Sequence, residues 1–384
     1  MFNFSYQNPT RIVFGQGQIK ELAKLVPANA KILLTYGGGS IKQNGVYQQV
    51  MQALEGFEVL EFSGIEPNPS FETLLKAVEM VKQQGITYLL PVGGGSVIDG
   101  TKFIAAAVAY AGDPWDILTR KAKLTHAMPL GCVLTLPATG TESNGNSVVT
   151  RYSTQEKLSF ASPLVYPQFA ILDPTVTYSL PPRQVANGVV DAFVHVMEQY
   201  MTYPVNAPVQ DRFAEGLLLT LIEQGPLALS DPQNYEVRAN VMWAATMALN
   251  GLIGQGVPQD WATHMIGHEI TAVHGLDHAQ TLAVVLPALL NEQRAQKREK
   301  LLQYGRRVWG LQHADEERLI DDAISYTRAF FEQMGVPTRL ADYGIKAEAV
   351  DELVNKLEQH QLLKLGEHGD ITLAVSRKIL QAAV

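Results

Sequence analysis

Residues 88–102 read YLLPVGGGSVIDGTK. The opening run is apolar without alternation, the pattern of a strand buried on both faces. Three glycines and a serine turn the chain, and an amphipathic pattern follows over 96–110. This strand, turn and helix repeat on either side. Apolar runs at 31–36 (KILLTY), 57–62 (FEVLEF), 129–136 (PLGCVLTL) and 169–172 (FAIL) read as strands. Amphipathic segments at 18–25, 46–54 and 71–84 read as helices. Strands of this kind alternating with helices predict a parallel sheet covered on both faces.

The rhythm changes after Pro181-Pro182. Helical patterns follow at 184–200, 207–224, 235–253 and 262–273, with no convincing strand run. Proline ends one element and opens the next helix, so this pair reads as a hinge. A chain of 384 residues also exceeds the roughly 100–200 of one core. The expected organisation is α/β plus all-α. Residues 1–180 would form an α/β nucleotide-binding half, and 181–384 an all-α half.

A net charge of -8 argues against nucleic acid, which needs clustered Lys and Arg to neutralise phosphates. The single cysteine, Cys132, lies in an apolar run and reads as a buried structural thiol in a reducing cytoplasmic setting. Residues 1–15 lack a basic segment and a small-residue cleavage site, so no targeting leader is expected. Apolar runs such as 103–111 fall short of the ~20 residues a membrane span needs.

Two glycine turns follow strands: Gly37-Gly38-Gly39-Ser40 and Gly93-Gly94-Gly95-Ser96. Each alone is as well explained as an ordinary strand-to-helix turn, and neither matches G-x-G-x-x-G. Two in register on a parallel sheet point to a dinucleotide, because glycine lets N–H groups close on phosphate at a helix N-terminus.

Five of the nine histidines lie between 195 and 278. Asp191 and His195 are four apart in VVDAFVHVMEQY and share a helix face. His264 and His268 repeat that spacing, and His274 and His278 follow around Gly275. A lone pair at this spacing is usually structural. Two pairs and two further histidines among Ala, Val, Ile and Met fit a divalent metal better than core packing. Spacing alone does not say which histidine stands aside.

These motifs resemble the iron-containing (group III) alcohol dehydrogenase family, and within it the butanol dehydrogenase and NADPH-dependent aldehyde reductase branch. The carriers are PTRIVFGQG (9–17), EPNPS (66–70), GGGSVIDGTK (93–102), LTLPATGTESN (134–144), LDPTVTYSLPPRQVANGVVDAFVHVMEQY (172–200) and HMIGHEITAVHGLDHAQTLAVVLP (264–287). The resemblance implies the two-domain, dehydroquinate synthase-like fold. It also implies one divalent metal, Zn²⁺ or Fe²⁺, on Asp191, His195, His264 and His278. It makes His268 a proton-relay residue near the substrate, and His274 either a support behind the metal ligands or a structural residue. On the cofactor side it implies Gly94, Gly95 and Ser96 at the pyrophosphate and Asp99 beside the nicotinamide in a catalytic role. Thr135 and Thr139 would contact the adenine-side phosphate and ribose, and Lys157 the nicotinamide ribose. The stretch Thr139-Gly140-Thr141-Glu142-Ser143 is shorter than the family's common form.

NAD-preferring members carry Asp about where Gly39 stands. Gly37, Gly38, Gly39 and Ser40 present no carboxylate to repel a 2′-phosphate, so NADP(H) is the expected cofactor. The implied activity is aldehyde reduction: a metal polarises the aldehyde oxygen while hydride arrives from the nicotinamide. The implied substrates are short or medium aldehydes and primary alcohols, and a homodimer is expected. A dehydroquinate synthase-type lyase would call for several Lys and Arg around an anionic substrate. Trp261, Met265, Ile266 and Val273 flank the histidines instead. A glycerol dehydrogenase-type enzyme generally uses three metal ligands. A non-catalytic NADP-binding sensor would not need the full metal pattern.

Overall fold

The computed structural model describes all 384 residues, which divide into two compact units. A sheet unit contains Gln7–Leu180 and Gln233–Thr246; a helical unit contains Met1–Tyr6, Pro181–Pro232 and Met247–Val384.

The strands of the sheet unit are β1 (Arg11–Phe14), β2 (Lys31–Thr35), β3 (Glu58–Phe62), β4 (Tyr88–Gly94), β5 (Cys132–Leu136), β6 (Asn146–Arg151), β7 (Glu156–Ala161) and β8 (Phe169–Leu172). Six of them form one sheet in the order β1-β8-β5-β4-β2-β3, and every pairing in it is parallel. Alternate residues serve opposite faces. Leu33 and Leu89 join a core with Leu74, Phe103 and Ile104, while Ile32, Leu34, Tyr88 and Leu90 join another with Ile19, Val46 and Val50. Burial on both faces accounts for the unbroken apolar runs.

The strand order reverses between β2 and β4. From β2 the chain steps outward to β3, then returns to β4 on the other side of β2 and continues away. Open α/β sheets bind ligands beyond the carboxyl ends of strands at such a point. Both glycine turns leave these two strands.

Three features of this unit were not read from the sequence. β1 is an edge strand aligned with β8, Arg11 opposite Phe169. β6 and β7 form an antiparallel hairpin outside the main sheet. The helix Tyr235–Ala248 returns to this unit: Met242 packs with Ile98, Cys132, Leu134, Ala170 and Leu172, and Thr246 Oγ1 donates to Glu142 Oε1 at 2.6 Å. The chain therefore crosses between units more often than a single cut after residue 180 allows.

The first helix of the helical unit is Pro182–Tyr200, whose proline occupies the first turn where no N–H partner is needed. Helix Ala262–His274 ends at Gly275, held at φ 72, and Asp277 opens His278–Glu292 with a capping box to Gln280. This tight connection sets the direction of His278. One short antiparallel hairpin, Lys364–Leu365 with Ile371–Thr372, interrupts the otherwise helical unit. No helix in the chain is long and apolar enough to cross a membrane.

Candidate cofactor and metal sites

In the sheet unit, Gly39 has φ 97 and precedes the short helix Ser40–Gln43. Positive φ favours glycine, and a Cβ at Gly38 or Gly39 would meet nothing within 4 Å. The turn therefore has open space beside it and no carboxylate within it. The neighbouring Glu61 is occupied: Tyr36, Tyr47 and Lys42 donate to it at 2.7, 2.5 and 2.9 Å. Partial burial pushes its carboxyl up, but hydrogen bonds from Tyr47, Lys42 and Tyr36 outweigh that and hold it at about 2.

The second turn needs glycine for a different reason. A Cβ on Gly94 would lie 2.9 Å from Leu136 Cβ, and one on Gly95 would lie 2.8 Å from Thr139 Oγ1. The chain after β5 thus runs against the start of helix Gly95–Val108. No side chain caps that helix start, which leaves its first N–H groups available to an anion. Ser96 Oγ accepts from the Asn68 N–H at 3.3 Å, and Lys157 Nζ donates to Asn68 Oδ1 at 3.0 Å. Thr135 is half-buried in β5, and Thr139 Oγ1 accepts weakly from Thr141 N at 3.4 Å.

Asp99 and Lys102, one helical turn apart, tie the segment after β5 to this helix. Asp99 Oδ1 accepts from Thr141 Oγ1 at 2.5 Å and Oδ2 from Val148 N at 2.9 Å. Lys102 is fully buried and donates to Thr141 Oγ1, Asn144 O, Asn144 Oδ1 and Asn146 O at 2.7, 2.8, 3.1 and 2.9 Å. Burial lowers the Lys102 ammonium to about 8, against the pull of Asp99. Burial raises the Asp99 carboxyl, against Lys102 and its two donors. In the sequence alone, only the i, i+3 spacing from Asp99 marks Lys102.

In the helical unit, Asp191, His195, His264 and His278 each offer one ligand atom, and these atoms lie within 4.8 Å of one another. Asp191 and His195 project from one face of Pro182–Tyr200, His264 from Ala262–His274, and His278 from the start of the next helix. His195 Nδ1 stands 3.5 Å from Asp191 Oδ1 and His278 Nε2 stands 3.7 Å from it. Those separations are too long for good hydrogen bonds. They match the roughly 3.4 Å edge of a tetrahedron whose corners lie ~2.1 Å from a shared ion. His195 Nδ1 is buried without a hydrogen-bond partner. An orphaned imidazole nitrogen beside a carboxylate is costly in a bare protein and suits a ligand. The three-nitrogen, one-oxygen set therefore fits a divalent cation.

His268 lies outside that four-atom group, although its ring centroid is 5.2 Å from that of His278 and 6.4 Å from that of His264. His274 also lies outside it, at the C-terminal end of its helix. Two further features adjoin the cluster. Trp261 adopts φ 66 immediately before the His264 helix, with its ring 5.2 Å from that of His264. A bulky residue in the left-handed region is strained and recurs at functional sites. Glu198 Oε1 accepts from the His264 main-chain N at 3.0 Å and shares a hydrogen bond of the same length with His264 Nδ1. Burial, and after it the Asp260 carboxylate, push the Glu198 carboxyl well above the usual range.

Residues 9–174 match the family described as iron-containing alcohol dehydrogenase, and 185–382 match the C-terminal domain of the Fe-containing alcohol dehydrogenase family. The chain belongs to the iron-containing alcohol dehydrogenase family. Among curated relatives, it is 62% identical to the NADPH-dependent aldehyde reductase YqhD of Escherichia coli K12, across 100% of both chains. It is 44% identical to the probable NADH-dependent butanol dehydrogenase 1 of Bacillus subtilis, covering 93% of each. The crystal structure of YqhD from E. coli K-12 superposes with a TM-score of 0.99 over 100% of this chain and 99% of that one, at 62% identity. The NADH-dependent butanol dehydrogenase A of Thermotoga maritima gives a TM-score of 0.96 at 36% identity, with 100% and 99% covered. Both the parallel-sheet half and the helical half of this chain are thus those of the family.

Proposed function

We propose that this chain is a metal-dependent, NADPH-dependent aldehyde reductase that also oxidises primary alcohols in the reverse direction. One observation carries the reading: a carboxylate and three imidazoles from three segments meet with their donor atoms inside 4.8 Å. The 62% identity to a protein named as an NADPH-dependent aldehyde reductase supports the cofactor and the direction.

Asp191, His195, His264 and His278 would hold the cation. A divalent ion bound there would supply Lewis acidity to a carbonyl oxygen. NADPH supplies hydride, so that RCHO, NADPH and a proton give RCH₂OH and NADP⁺. His268 is buried beside the ligand set and is not part of it, which suits it to hold the proton the reduced oxygen requires. Trp261, Met265 and Val273 favour an uncharged, apolar substrate.

In the sheet unit, Gly37, Gly38, Gly39 and Ser40 would accept the 2′-phosphate, and Gly94, Gly95 and Ser96 the pyrophosphate. Thr135, Thr139 and Lys157 complete the proposed cofactor contacts. Asp99 has both carboxylate oxygens engaged by Thr141 and Val148, so we assign it to positioning the segment after β5 rather than to proton transfer. The exposed edge strand β1, with Phe14 stacked edge-on against exposed Trp243, supports a homodimer. The lone buried Cys132 supports a cytoplasmic setting.

Metal-replete protein should consume NADPH with butanal, propanal or acrolein, and should oxidise the matching alcohols more slowly at neutral pH. Absence of NADPH consumption with all three aldehydes contradicts the proposal.

A further inference from the structure

The cluster behind His264 extends well past the four donors. Glu198 lies on the same helix as Asp191 and His195, three residues beyond the latter, and is 2% exposed. Its Oε1 accepts the His264 main-chain N–H and stands 3.0 Å from His264 Nδ1. With Glu198 ionised that oxygen can only accept, so His264 Nδ1 carries the proton and Nε2 is the unprotonated ring nitrogen. A carboxylate placed behind a ligating histidine in this way fixes its tautomer and orientation and raises its basicity.

Glu198 is itself held from behind. Its main-chain oxygen accepts from Asp260 N at 2.9 Å, and Asp260 Oδ1 accepts from Ala262 N at 3.0 Å at the start of the His264 helix. Asp260 Oδ2 pairs with Lys297 Nζ at 2.8 Å. Lys297 also donates to Met201 O at 2.8 Å and to both oxygens of Glu367, at 2.9 and 2.8 Å. The Lys297 side chain is 2% exposed, and those of Asp260 and Glu367 are 3% and 4%. Paired charges buried this deeply are rigid, because breaking any one pair strands its partner. Glu367 lies in the connection between the two strands of the C-terminal hairpin, which is thereby tied to the start of the His264 helix.

We propose that Glu198 is a positioning residue for the metal centre, fixing His264 with Nδ1 protonated and Nε2 presented to the cation, and that the Asp260–Lys297–Glu367 cluster holds that geometry. The inference rests on the metal-site reading above. Glu198 acts through His264.

The test is zinc affinity of metal-stripped protein, measured by competition with a chromophoric chelator. Glu198→Leu keeps the volume and removes the acceptor; it should bind zinc about 10–100-fold more weakly than the unmodified protein. Glu198→Gln keeps an acceptor oxygen and should recover part of that loss. NADPH binding should be unchanged in both. A Glu198→Leu affinity within twofold of the unmodified value overturns the proposal. If that variant does not fold, the nitrogen-15 signals of His264 in metal-stripped, unmodified protein decide. Protonated Nδ1 is expected, and protonated Nε2 overturns the proposal. Failure of the unmodified protein to take up zinc would overturn the metal-site reading itself, whereas zinc uptake without Glu198 dependence overturns this inference alone.

Discussion

Replacing Asp191, His195, His264 or His278 singly by Ala should lower aldehyde reduction by at least about 10³-fold and leave NADPH binding nearly intact. The magnitude follows from the several kcal/mol that a Lewis acid contributes to a developing oxyanion, at 1.4 kcal/mol or about that per tenfold. The four donors come from three separate segments, so each removal leaves an incomplete shell that the others cannot close. Cofactor binding is expected to survive because its proposed contacts lie in the sheet unit, Gln7–Leu180 and Gln233–Thr246, whereas all four donors lie in the helical unit. His268→Ala makes the internal control: metal content should stay at the unmodified level while kcat falls about 10²-fold, as expected for loss of a positioned proton donor. Elemental analysis and fluorescence titration with NADPH check both halves. Full metal content in Asp191→Ala, or loss of metal in His268→Ala, would invert the assignment.

Gly39→Asp should shift the ratio of kcat/KM for NADPH over NADH by about 10–100-fold toward NADH. A carboxylate there would repel the 2′-phosphate of NADPH and accept from the ribose 2′-hydroxyl of NADH. The site has room, since a Cβ at Gly39 meets nothing within 4 Å. Its φ of 97 makes any side chain strained, by roughly 1 kcal/mol, and Asp is among the residues that tolerate this region best. The substitution should therefore change preference at a modest cost in stability. Steady-state rates with both cofactors measure it, and an unchanged ratio would move the 2′-phosphate away from this turn.

Much of this architecture could be read from residue order because its signals are local. Strands such as KILLTY and YLLPV are buried on both faces and therefore show as unbroken apolar runs. Asp191 and His195 share a face because four residues make about one helical turn. What escaped the reading depends on distant partners. RIVF at β1 spans four residues with a mixed burial pattern, and only its alignment with β8 makes it a strand. The helix Tyr235–Ala248 shows its periodicity in sequence, but nothing local says that Met242 packs beneath Cys132 and Leu134. The metal cluster was the opposite case. Spacing gave five candidate histidines, the family resemblance named three, and the geometry brings those three together with Asp191 while His268 and His274 stay outside. Glu198 could have been found from its helical register with His195; its partner His264, 66 residues away, could not.

In the proposed function, the Asp191, His195, His264 and His278 cluster holds a cation required for NADPH-dependent aldehyde reduction. The most direct test is the butanal-dependent oxidation of NADPH by chelator-stripped protein, before and after one equivalent of zinc or ferrous iron is returned. Stripping should abolish turnover, and one equivalent per chain should restore it in the unmodified protein but not in Asp191→Ala. Undiminished turnover by fully stripped protein would contradict it.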